Sequence, residues 1–179
     1  IYLPKFNLGI EYCGLYWHSE DRLGATYHKD KLDLAKSSGI RLVTVFEDEW
    51  LDSPEKVKGR IKVLLGGCPT IMARKTDCRK IVWAQAYIFL TEHHMQGAGA
   101  PSAVCYGLYH AGELVMVATF GLGRFSSGHA WELIRVSGSG SLRVVGGLGK
   151  LLAKFQREFQ PGNIITLSLI HISEPTRPY

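Results

Sequence analysis

The segment Glu11-Tyr-Cys-Gly-Leu-Tyr-Trp-His-Ser-Glu20 places a carboxylate, a thiol and an imidazole within reach of one short turn. Leu8, Ile10 and Tyr12 alternate with Gly9, Glu11 and Cys13, the period of a strand. A carboxylate on a strand, a bend at Gly14 and His18 beside Tyr16 and Trp17 is one way to assemble a hydrolytic metal site. The carboxylate would hold a divalent cation, and the imidazole, which titrates near neutral pH, would move a proton. The same residues read equally as a half-buried hairpin whose His18 is simply hydrogen-bonded.

These side chains need elements to carry them. Ile1 to Tyr16 reads as two short strands separated by the turn signals Pro4, Lys5 and Asn7. A helix is expected from about Thr26 to Ser38, with Thr26 as its cap and Gly39 at its C-terminal end. On that helix His28, Lys31 and Ala35 share a face. Ile40 to Phe46 has the β-branched profile of a strand buried on both faces. The run Glu47-Asp-Glu49 is then expected in a loop before a helix that Ser53 caps and Pro54 opens. Val57, Ile61, Leu64 and Leu65 form the apolar stripe of that helix, and Gly66-Gly67 stops it. The order strand, strand, helix, strand, helix predicts an α/β fold with a mixed sheet flanked by helices.

Ile10-Glu11-Tyr-Cys-Gly14, Tyr16-Trp-His-Ser19, Tyr27-His28-Lys-Asp-Lys31 and Gly39-Ile-Arg-Leu-Val-Thr-Val-Phe-Glu-Asp-Glu-Trp50 stand in an order that resembles phage-type homing endonucleases. Those are similar to very-short-patch repair endonucleases, within the PD-(D/E)XK superfamily. The resemblance covers residues 1 to about 75 and implies a restriction-endonuclease-like domain that hydrolyses phosphodiester bonds of double-stranded DNA. It implies Mg²⁺ as cofactor, held by Glu11, because Glu11 lies in the strand that carries the family's second acid. His18 would be general base or proton shuttle, and His28 and Lys31 would reach the scissile phosphate from the helix. Lys31 would stand in for the superfamily lysine, since Cys13 occupies the position two after Glu11. The family's first acid precedes the equivalent of Ile1, so the expectation is a nuclease parent and an impaired centre in this chain. Each residue also has a plain structural reading: Glu11 as an exposed strand acid, His28 as a surface helix residue, Lys31 as part of a solvated face.

The second half, residues 76–166, is expected to form another small α/β domain. A basic connection, Arg74-Lys-Thr-Asp-Cys-Arg-Lys80, precedes a helix from about Val82 to Glu92. Ala103 to Tyr109 and Glu113 to Phe120 read as a hairpin turning at His110-Ala-Gly112, and Trp131 to Val136 as a further strand. Val144 to Lys150 opens a helix with Leu148, Leu151, Leu152, Phe155 and Phe159 on its apolar side. Lys150, Lys154 and Arg157 form a basic stripe along it. With Arg74 and Lys75 these are the candidate contacts to DNA phosphates; as a bland alternative the stripe is a solvated face. Arg143-Val-Val-Gly146 and the glycine-bearing helix start resemble the acyl-CoA-dependent N-acetyltransferase fold. Leu148 stands where that motif expects Gly or Ala. The competing functions are therefore an acyl-CoA-dependent transferase and a non-catalytic DNA-binding protein.

Bulk properties narrow the field. The chain has 179 residues, 46% of them hydrophobic and 21% charged, which argues against disorder. A net charge of +5 and a pI of about 9.0 favour an acidic partner such as nucleic acid. The basic excess is spread over both halves. Cys13, Cys68, Cys78 and Cys105 form no CxxC pair and read as reduced thiols of a cytoplasmic protein. No apolar run is long enough for a membrane span. Residues 167–179, beginning Leu-Ser-Leu-Ile-His-Ile-Ser-Glu-Pro-Thr-Arg-Pro, resemble a translated sequencing adapter, so no function is assigned to His171 or Glu174.

Overall fold

The computed structural model of the chain describes residues 1–14, 27–122 and 131–166, and within the first helix it leaves aside the side chains of residues 27–29. The expected positions of His18 and of the 167–179 tail lie outside the described residues. The fold is mixed α/β, as the strand–helix alternation predicts, and it divides into two compact units. The division falls between Val57 and Lys58, not at residue 75. Residues 70–72 belong with the second unit because they form a parallel ladder with residues 143–145.

In the first unit, β1 (Tyr2–Leu3) runs antiparallel to β2 (Leu8–Cys13), which runs parallel to β3 (Arg41–Phe46). Parallel neighbours require a crossover, and α1 (Tyr27–Ser37) supplies the helical part of it. Lys31, Leu32 and Ala35 are half-buried on α1, while Asp33, Leu34 and Lys36 are exposed. Lys31 and Ala35, which helical spacing places on one face, are thus both half-buried. Val43 and Val45 are buried on β3, whereas Leu42, Thr44 and Phe46 are only partly so. Among the described residues this strand is an edge of its sheet, and it buries one face, not both.

Glu47 to Asp52 form a short helix, α2, where a loop was expected. Three acids in its first turn complement the exposed N–H groups there, and Glu49 Oε2 accepts from the Phe46 N–H at 3.3 Å. Helix α3 (Pro54–Leu64) follows directly, opened by Pro54 as predicted.

The second unit is built on a five-stranded sheet. In order across the sheet these are β10 (Ile164–Ile165), β8 (Trp131–Gly138), β7 (Glu113–Leu122), β6 (Val104–His110) and β5 (Asp77–Ile81). All neighbours are antiparallel except β10, which joins β8 in parallel. The stretch Arg74 to Lys80 is thus no mere connection. Residues 73–75 make a single 3₁₀ turn, and Asp77–Ile81 pair with β6 as the edge strand. A separate two-stranded parallel ladder joins β4 (Thr70–Met72) to β9 (Arg143–Val145).

Two helices cover the faces of the large sheet. Helix α4 (Trp83–His93) packs Ala86, Phe89 and Leu90 against Cys105 and Val117. Helix α5 (Gly147–Phe159) packs Leu151 and Phe155 against Tyr106, Ala118 and Phe120 on the other face. The rings of Phe120 and Phe155 stack at 4.0 Å, with Trp131 edge-on to Phe155 at 5.0 Å. Burying rings of this size contributes roughly 1.5–3 kcal/mol each, which makes α5 one of the two anchors of the unit. The β6–β7 turn is Ala111-Gly112, both at positive φ (50° and 86°), the backbone of a two-residue hairpin.

Candidate functional site

Strand alternation sends Glu11 and Cys13 to one side of β2, and α1 brings Lys31 to the same place. The Lys31 ammonium donates to Glu11 Oε1 in a close ion pair. The Glu11 side chain is 11% exposed and that of Lys31 40%, so the pair sits at a half-open surface. Cys13 is fully buried beside the Glu11 carboxylate. Burial first, and the adjacent Glu11 charge second, push that thiol up to about 11; Lys31 opposes them more weakly. Cys13 is accordingly a neutral thiol beside Glu11, not a nucleophile.

The neighbouring parallel strand adds a second acid. Cys13 is opposite Phe46 in the ladder, and Glu47 follows at the start of α2. A Cβ built on Gly14 would lie 3.7 Å from Glu47 Oε2, so this carboxylate stands over the end of β2. From sequence alone the Glu47–Glu49 run reads as a loop before a helix, with contact to the metal as its lesser reading. The signal that could have drawn Glu47 in is its place directly after a strand parallel to β2.

The described donors fit a hard cation only in part. Among the described residues no group of three or more His, Cys, Asp or Glu side chains converges for a metal. Mg²⁺ is commonly held by one or two carboxylates and keeps several waters, so Glu11, with Glu47 near the strand end, matches the smaller protein share of such a shell.

Of the four candidate catalytic residues, Glu11 and Lys31 meet. His18 lies outside the described residues, and His28 is placed on α1 without a described side chain. The candidate phosphate-binding residues divide. Arg74, Lys75 and Arg157 are exposed, and Lys154 is half-exposed with Glu158 Oε2 at 3.7 Å. Lys150 differs: its ammonium turns inward and donates to the backbone carbonyls of Ala73, at 2.9 Å, and of Thr76. It clasps the 3₁₀ turn to the first turns of α5, and so leaves the basic stripe that helical spacing alone assigned to it.

Glu158 anchors a second polar group on α5. It accepts from the buried Tyr106 hydroxyl at 2.6 Å and from Lys80 at 3.2 Å. These bonds, the tyrosine's first, hold its carboxyl below the usual range, while burial and the carboxylate hold the Tyr106 phenol well above its own. All four cysteines are free thiols. No described helix is long and apolar enough to cross a membrane. Comparison with family models, curated proteins and solved structures found no match.

Proposed function

We propose that the chain is a metal-dependent DNA endonuclease of homing or repair type, with its centre in the first unit at Glu11 and Lys31. The observation that carries this reading is their ion pair, which joins a strand carboxylate to a helix lysine distant in sequence. Mg²⁺, when bound at Glu11, would supply charge relief on the phosphate and an activated water. Lys31 would turn from Glu11 toward the scissile phosphate and offset the charge developing there. His28, or His18, would take the proton from the attacking water. Arg74, Lys75, Lys154 and Arg157 in the second unit would add phosphate contacts that carry no sequence information.

Nicking of supercoiled plasmid tests the proposal. Cleavage should require Mg²⁺, stop with EDTA, and fall by about a hundredfold or more in Glu11→Gln. Cleavage that persists in EDTA or is unchanged in Glu11→Gln would falsify the metal-site assignment. DNA binding with no cleavage at any Mg²⁺ concentration would instead make the chain a non-catalytic DNA-binding protein.

One feature favours a transferase as the second reading. Strand β9 leads through Gly146, at φ 75°, into α5, whose cap carries no side-chain hydrogen bond. Such a turn offers backbone N–H groups to a pyrophosphate. Acetyl-CoA binding by calorimetry, retained in Glu11→Gln, would support it, and absence of binding heat would remove it.

A further inference from the structure

The second unit buries a polar group that none of the roles above uses. On the α4 face of the sheet, Thr119 is fully buried and Glu132 is 6% exposed. Among the described residues, Thr119 Oγ1, Glu132 Oε2 and Arg135 Nε are buried and have no hydrogen-bond partner. Leaving a buried polar atom unmet costs about 1–3 kcal/mol, more for a charged group, so three in one place call for a partner, either bridging water or a ligand.

Register puts them in one place. Thr119 is opposite Arg135, and Gly121 is opposite Glu132. In a regular strand Glu132 and Arg135, three residues apart, would point to opposite faces. The ladder slips between Thr119 and Phe120, and this bulge brings both charged residues to the face of Thr119 and Gly121. A Cβ on Gly121 would meet Ile134 Cδ1 at 2.7 Å, which confirms that Ile134 shares that side. The guanidinium is held in place: one terminal nitrogen donates to the Ile134 carbonyl at 3.0 Å, and the other lies 3.6 Å from a Cβ built on Gly99. No described ion pair joins Arg135 to Glu132.

We propose that Glu132, Arg135 and Thr119 form a second ligand site, for a neutral molecule or group bearing an amide. An amide offers an N–H to Glu132 and a carbonyl oxygen to the Arg135 Nε–H, and the Thr119 hydroxyl can serve either end. A free anion would meet the Glu132 carboxylate and a free cation the Arg135 guanidinium, each at short range in a medium poorer than water. The apolar neighbours Cys105 and Val117 suit a ligand whose remainder is uncharged. The site stands in the second unit and does not rest on the nuclease reading.

The test uses the whole ¹⁵N-labelled chain and three probes of one shape: propionamide, propionate and propylammonium. Propionamide should shift the amide resonances of Thr119, Gly121, Glu132 and Arg135 saturably, and both ions should bind at least about tenfold more weakly. Glu132→Gln and Thr119→Val should each weaken propionamide by about tenfold, with the resonances of Tyr106 and Leu108 unmoved as the sign of an intact fold. The charge series on the unsubstituted protein keeps the question open to experiment should a variant not fold. No saturable shift, equal response to all three probes, or full propionamide binding in both folded variants overturns the proposal and leaves a cluster filled by water.

Discussion

At the scale of the residue, Lys150 and Tyr106 show how far a side chain's role depends on where its polar end goes. Lys150 has the spacing of a DNA contact, yet its ammonium is spent on two carbonyls of the 73–76 turn. Lys150→Met should lower stability by about 1–3 kcal/mol in urea unfolding and leave DNA affinity nearly unchanged. Arg157→Ala should do the reverse. Tyr106 and Glu158 set the pH limits of the same unit. The carboxyl of Glu158 is depressed in the folded chain, so its contribution is present above the ordinary carboxylate value and is lost as pH falls through the folded one. The phenol of Tyr106 is raised, so its contribution is fully present below the ordinary tyrosine value of 10.0 and is lost as pH climbs beyond it. Melting temperature plotted against pH should therefore fall on both sides, and Tyr106→Phe should flatten the alkaline limb and lower the plateau by a few degrees.

At the scale of the element, local signals carried most of the reading. Pro54 and Gly66 bracket α3, the apolar stripe of α5 faces the sheet, and the β6–β7 hairpin turns where Ala111-Gly112 predicted. Short elements held by distant partners were not legible. Thr70–Met72 becomes a strand only because Arg143–Val145 pairs with it, and Asp77–Ile81 because β6 lies alongside. The site divides in the same way. Lys31 could be placed by helical periodicity and Cys13 by strand alternation, whereas the Glu132–Arg135 pair depends on a bulge that no spacing rule reveals. The hairpin also stores a local cost. Ala111 sits at φ 50°, where a Cβ is unfavourable, so Ala111→Asn should raise stability by roughly 0.5–1 kcal/mol, read from the urea midpoint at constant slope.

At the scale of the molecule, the proposed nuclease reading, with a charge of +5 and exposed Arg74, Lys75 and Arg157, predicts that binding to DNA is governed by salt. The logarithm of the binding constant should fall linearly with that of salt concentration, by about 0.9 per phosphate contacted. Alanine at each contacting residue should reduce the slope by about one, as measured by fluorescence anisotropy.

The edge strand β5 has a further consequence. Among the described residues no strand pairs with its outer side, which leaves a row of backbone groups able to template another chain. Asp77, Arg79 and Lys80 are exposed along it. A second chain approaching parallel and in register would press like charges together and strip their water, so these charges act against that mode of fibre growth. This margin of the protein therefore disfavours parallel, in-register stacking of one copy on another.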